Sequence, residues 1–263
     1  MSLKLFDLSD KNALLTGATH GLGMAMAKGL GDAGANLIIN GHSPERMEKA
    51  LKDYKDYGLD VHSYLFDVTQ EREVAENVSK IEKEAGPVDI LVNNAAIIKR
   101  IPLAEMDVED YKEVIDVDLI APFIMAKHIV RGMIKRRKGK IINICSMMSE
   151  MGRDTVGAYA AAKGGLKMLT RSMATEWARY NIQVNAIGPG YFATEQTAPI
   201  REKGNPIHEF IKNRTPAGVW GNPEQLAGSA IFLASEASDF VNGHILYVDG
   251  GILATIGKPM DSQ

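Results

Sequence analysis

Short apolar runs rich in Val, Ile and Leu alternate along this chain with longer amphipathic stretches, the pattern left by βαβ units around a buried parallel sheet. Strands are read at 12–15, 36–39, 61–65, 89–92, 140–144, 182–186 and 244–248, with helices at 22–33, 44–57, 71–85, 108–136, 158–179 and 223–234. Seven strands fit one sheet, and 263 residues with 45% hydrophobic content suffice to bury one large core. No repeat, low-complexity linker or composition shift marks a second unit, so residues 1–263 are expected to form a single α/β domain. An irregular stretch after the sixth strand, at about 190–215, is the expected lid over a site.

Charge narrows the function classes. Thirty basic against 33 acidic residues leave a formal net charge of −3, which supplies no global field to hold a polyanion, so no nucleic-acid partner is expected. The cationic run Lys135 to Lys140 falls at a helix C-terminus, where the helix dipole favours it. No apolar run approaches the roughly 18 residues needed to span a bilayer, and the N-terminus lacks an export signal. A cytoplasmic protein with no membrane association is therefore expected. The one cysteine, Cys145, cannot form an internal disulfide, which fits a reducing compartment. It sits beside Ser146, but strand alternation turns adjacent side chains to opposite faces, so Cys145 is read as core. No metal site is assigned.

Between the first strand and the first helix runs Thr-Gly-Ala-Thr-His-Gly-Leu-Gly, residues 16–23. A glycine turn there lets backbone N–H groups and the positive helix end approach a pyrophosphate. Gly17, Gly21 and Gly23 are the expected contacts, with Thr19, His20 and Leu22 between them. In an open sheet a dinucleotide lies beyond the carboxyl ends of the strands. Asp67 and Val68 follow the third strand there, and Asn93 to Ala96, with Ala95, follow the fourth. Asp67 suits the adenine amino group. After the second strand a carboxylate would select NAD, yet Gly41 occupies that place. His20, His42, Ser43 and Arg46 are available to a 2′-phosphate instead, so NADP(H) is favoured and NAD(H) stays open.

Ser146 ends the fifth strand, and thirteen residues later Tyr159 and Lys163 stand at i and i+4 on one helix face. A phenol near its ordinary pKa of about 10 is a poor base at neutral pH, but an adjacent ammonium favours phenolate. Tyr159 would exchange the substrate hydroxyl proton, Ser146 would hold the substrate oxygen, and Lys163 would lower the phenol's pKa and bind the nicotinamide ribose.

With the glycine run, Asn-Asn-Ala-Ala at 93–96, Ser146, Tyr159, Lys163 and Ile-Gly-Pro-Gly-Tyr-Phe-Ala-Thr at 187–194 all in order, the chain resembles the classical short-chain dehydrogenase/reductase family almost from end to end. The resemblance implies a Rossmann-like, seven-stranded parallel sheet in the order 3-2-1-4-5-6-7 with helices on both faces, and a homotetramer. It places Asn93 near the adenosine ribose and Ile187 and Thr194 at the nicotinamide, with Pro189 and Gly190 also among the cofactor contacts. Residues 97–100, 141–153 and 193–199 look like the bacterial gluconate 5-dehydrogenase branch. That branch implies hydride transfer between D-gluconate and 5-keto-D-gluconate, with a 2-keto-3-deoxygluconate dehydrogenase, or a carrier-linked ketoacyl reductase, as rival. Arg100 and Arg153 would then clamp the sugar-acid carboxylate. A non-catalytic dinucleotide sensor on the same fold is the rival of another class. The family's usual catalytic asparagine is here Asp118. In the family a main-chain carbonyl at that position orders a water leading to the lysine, and Asp118 is expected to keep that relay.

Overall fold

A computed structural model describes residues 3–202 and 204–257. Seven parallel strands form one sheet: β1 (Asn12–Leu15), β2 (Asn36–Gly41), β3 (Val61–Leu65), β4 (Ile90–Asn93), β5 (Gly139–Ile144), β6 (Ile182–Pro189) and β7 (Ile245–Val248). Their order is β3-β2-β1-β4-β5-β6-β7, the order expected from sequence. The sheet is buried because its strands are apolar on both faces. Leu15, Leu37, Ile39, Ile90 and Val92 point into one core, while their neighbours Leu14, Ile38 and Leu91 point into the other.

Helices α1 (Gly21–Asp32), α2 (Pro44–Tyr57), α3 (Glu71–Glu84), α4 (Val108–Ile115), α5 (Ala121–Arg136), α6 (Gly157–Trp177), α7 (Pro206–Arg214) and α8 (Ala227–Ala234) cover the two faces. Met26 and Leu30 of α1 and Leu233 of α8 seal the first core; Val74, Val78 and Ile81 of α3 and Ile129 and Met133 of α5 seal the second. Helix α2 shows why these segments start and stop where they do. The Ser43 hydroxyl accepts from Arg46 N–H, Pro44 occupies the first turn, and Gly58 ends the helix in the left-handed conformation, φ 93°.

The structure departs from the sequence reading in three places. The single helix expected over 108–136 is broken by a π-helical turn, Asp116–Ile120, between α4 and α5. The stretch at 190–215 is not irregular: a 3₁₀ segment, Glu195–Ile200, precedes α7, whose start is capped by the Asn205 side chain. Strands β2, β4 and β6 run further than read, to Gly41, Asn93 and Pro189, so Gly41 ends β2 rather than following it. Lys140 pairs with Asp239 at 2.7 Å, Lys138 with Glu236 at 3.6 Å, and Arg136 and Arg137 bond main-chain carbonyls of Val88 and Arg179. Four of the run's five cations thus have partners within the chain. Among the described residues no helix is long and apolar enough to cross a membrane.

Candidate active site

Where the strand order reverses between β1 and β4, the carboxyl edge of the sheet opens into a cleft of about 1070 Å³. One wall is the turn from β1 into α1. Gly17 there has φ +61°, and a Cβ on it would stand 2.9 Å from Ala95 Cα, so no larger residue fits. Asn94 locks this turn to the end of β4: its Nδ2 donates to Thr16 O at 3.0 Å and Gly17 O at 2.9 Å. In return Thr16 Oγ1 accepts from Asn94 N–H and Ala95 N–H, each at 3.0 Å. The result is a rigid backbone cradle at the N-terminus of α1, which suits a pyrophosphate.

Gly17, Thr19, His20, Gly21, Leu22, Gly23, His42, Ser43, Arg46, Asp67, Val68, Ala95, Pro189, Gly190 and Thr194 all line this cleft. Two residues expected there do not. Asn93 is the last residue of β4, and its amide donates to Asn143 Oδ1 at 2.9 Å inside the sheet. Ile187 is fully buried in the core, because β6 continues two residues beyond it. Asn94 and Phe192 line the cleft instead. The sequence reading chose Asn93 over its neighbour Asn94; the register of β4 decides which one faces out.

The adenosine end carries the positive charge. Burial, then the Arg46 guanidinium, pushes the His20 imidazole below its ordinary value, so His20 is neutral at physiological pH and Arg46 is the principal cation there. At Gly41 a Cβ would fall 2.7 Å from Thr19 Cγ2, so an acidic side chain has no room. Asp67 Oδ1 accepts from Thr69 N–H and Oγ1, at 2.9 and 2.8 Å, holding the turn ahead of α3 at the rim of the cleft.

Ser146, Tyr159 and Lys163 converge at the deep end. Ser146 leaves β5 in extended conformation and caps the 3₁₀ turn Met147–Ser149. Ser149, absent from the sequence reading, anchors that turn to α6 by donating to Lys163 O at 2.9 Å; its signal was the Ser-x-x-Ser capping spacing. The Ser146 hydroxyl acts on the Tyr159 phenol in the direction that favours its ionised form. Lys163 Nζ stands 5.5 Å from the Tyr159 ring centre and donates to Ile144 O at 2.9 Å.

Burial raises the Tyr159 phenol, Lys163 pulls it down and Asp118 pushes it up, leaving it above its ordinary value. Lys163 therefore acts in the expected direction without prevailing, and Tyr159 is protonated at neutral pH. For Lys163 itself, burial disfavours the ammonium, but its surroundings, the Asp118 carboxylate foremost, hold the lysine above its ordinary value. The Asp118 side chain also reaches the lysine, Oδ2 lying 3.2 Å from Nζ.

Beyond this cluster, Arg100 and Arg153 both line the cleft. Burial, then the Arg153 charge, lowers Arg100 below the usual arginine value. Arg153 also donates to the Tyr191 hydroxyl at 2.9 Å. Cys145 is buried against Leu166, Ala186 and Ile245. Among the described residues no group of three or more His, Cys, Asp or Glu side chains is arranged to hold a metal.

Residues 17–253 match the family model described as Enoyl-(Acyl carrier protein) reductase. A Formosa agariphila protein named 2-dehydro-3-deoxy-D-gluconate 5-dehydrogenase is 65% identical over 264 residues, covering 100% of both chains. The chain belongs to the short-chain dehydrogenase/reductase family. The 5-keto-D-gluconate 5-reductase of Escherichia coli K12 is 48% identical across 96% of this chain and 99% of its own. Among solved structures, a gluconate 5-dehydrogenase from Burkholderia cenocepacia J2315, in complex with NADP and tartrate, superposes with a TM-score of 0.93 at 42% identity, covering 97% of this chain and 100% of that one. Within this short-chain dehydrogenase/reductase, Asp118 stands where the family usually has asparagine, and Ala96 where it has glycine.

Proposed function

We propose that the chain is an NADP-dependent oxidoreductase that moves a hydride between the cofactor and carbon 5 of a six-carbon sugar acid. The observation that carries this is the convergence of Ser146, Tyr159 and Lys163 with the arginine pair in one cleft whose other end is a glycine cradle. When bound, the nicotinamide supplies or takes the hydride. The chain's own groups do the rest. The Ser146 hydroxyl orients the substrate oxygen, and the Tyr159 phenol gives its proton to that oxygen during reduction or takes it back during oxidation. Lys163 holds the phenol's charge and the ribose. Arg46, Ser43, His42 and His20 bind the 2′-phosphate, with the N-terminus of α2 behind it.

Arg100 and Arg153 take the carboxylate, fixing which carbon reaches Tyr159. Both substrate pairs named among the relatives place the reaction at carbon 5, four carbon–carbon bonds from the carboxylate: D-gluconate with 5-keto-D-gluconate, and 2-dehydro-3-deoxy-D-gluconate with its 5-keto product. The relative at 65% identity favours the second pair, and the Escherichia coli and Burkholderia proteins favour the first. Glu195, Gln196, Thr197 and Ile200 border the open side of the cleft, so the 190–215 segment acts as its lid. The exposed Phe123 of α5 and Met168 of α6 supply a surface for a homotetramer, and the buried thiol suits a reducing cytoplasm.

Turnover of both pairs with NADP and NAD, followed by cofactor absorbance, tests the reading. The expected result is activity on at least one pair with NADP preferred. No absorbance change with any of these acids overturns it. Sedimentation at a single chain mass overturns the tetramer.

A further inference from the structure

The buried end of the catalytic cluster carries a charge that the proton transfer does not require. Asp118 stands in the π-turn with its side chain wholly shielded, and its Oδ2 lies 3.2 Å from Lys163 Nζ, which is 2% exposed. Asp118 Oδ1 accepts from Ile97 N–H at 2.8 Å. Oδ2 makes no hydrogen bond of good geometry; burial raises the Asp118 carboxyl above its ordinary value, and the Lys163 ammonium, 3.2 Å away, opposes that rise in part. The ammonium that faces the Tyr159 ring at 5.5 Å therefore also faces a carboxylate. With little solvent between them, the two fields at the phenol oppose one another. An asparagine, usual in the family at this position, would leave the lysine's field unopposed.

We propose that Asp118, by pairing with Lys163, offsets part of the lysine's field at the Tyr159 phenol and so sets the pH at which that phenol turns from proton donor to proton acceptor. Asp118 is thus a positioning residue, acting through Lys163, and the inference rests on Tyr159 being the acid/base group. The ionisable groups facing the pair are Tyr159 from α6 and Cys145 from the end of β5. Burial pushes the Cys145 thiol up to about 11, so it stays neutral across the working range. The consequence is an enzyme biased toward carbonyl reduction at neutral pH, with alcohol oxidation confined to alkaline conditions.

Asp118→Asn tests this, because it removes the charge and keeps the shape. In the cofactor-free protein, the tyrosinate absorbance of each background minus its own Tyr159→Phe control isolates the phenol. The expected result is ionisation at a pH lower by about one unit in the Asn background. The acid limb of oxidation kcat should move by the same amount with KM values nearly unchanged, while Tm falls because the buried lysine loses its partner. Asp118→Ser repeats the measurement in a second shape. An unmoved titration, activity falling equally at every pH, or failure of both variants to fold overturns the proposal. Because the absorbance titration needs no turnover, it reads the same whether or not a sugar acid proves to be the substrate.

Discussion

The guanidinium of Arg153 donates to the hydroxyl of Tyr191 at 2.9 Å and faces the same ring at 5.9 Å, so the loop after β5 and the loop after β6 meet at one cation. Tyr191 in turn packs edge-on to Trp220 at 5.5 Å, which stacks on His208 of α7 at 6.1 Å. Arg153 therefore ties the loop after β5, through Tyr191 and Trp220, to α7.

Arg153→Ala should raise KM for a sugar acid about ten- to hundredfold, the worth of one charge-assisted hydrogen-bond pair. An uncharged polyol, which offers no carboxylate, should lose far less. Steady-state kinetics on both substrates checks this; equal losses would show that Arg153 serves the fold alone.

Arg46→Ala should raise KM for NADP tenfold or more while leaving KM for NAD within about twofold, because only NADP presents a phosphate to that cation. Gly41→Asp should weaken NADP without conferring efficient use of NAD, since the new Cβ meets Thr19 at 2.7 Å. Cofactor titration by fluorescence distinguishes the outcomes.

Asn94→Ala removes both amide donors to Thr16 O and Gly17 O. Two carbonyls at the cradle then lose their partners, at a cost of about 2 kcal/mol. Urea unfolding should show that loss, and NADP should bind more weakly although Asn94 carries no charge.

Tyr54 is buried and donates to Ala18 O at 2.8 Å; burial raises its phenol far above the ordinary value. Burial, and then the Glu84 carboxylate, pushes Tyr64 up to about 12. In the unfolded chain these phenols ionise near pH 10. Above that pH the unfolded state binds fewer protons than the folded one, so stability present at lower pH is lost as pH rises through the folded values. Urea midpoints should fall steadily above pH 10, and more gently in Tyr64→Phe.

Local patterns in the chain were enough for the sheet, its strand order by family resemblance, the glycine turn, and the Tyr159–Lys163 pair, because each depends on spacing within a strand, a turn or one helical face. Asn93 and Ile187 were misplaced because a strand's end is set by its neighbours: β4 pairs with β5 through Asn93, and β6 with β7 through Pro189. One residue of register decides whether a side chain meets solvent or core. Helix α7 escaped notice because its nine residues bury only Ile211, leaving almost no periodic stripe. The contact between Asp118 and Lys163 joins residues 45 positions apart, on a π-turn and a separate helix. Periodicity carries no information about such a meeting; only the packing of α6 against that turn brings the two charges together.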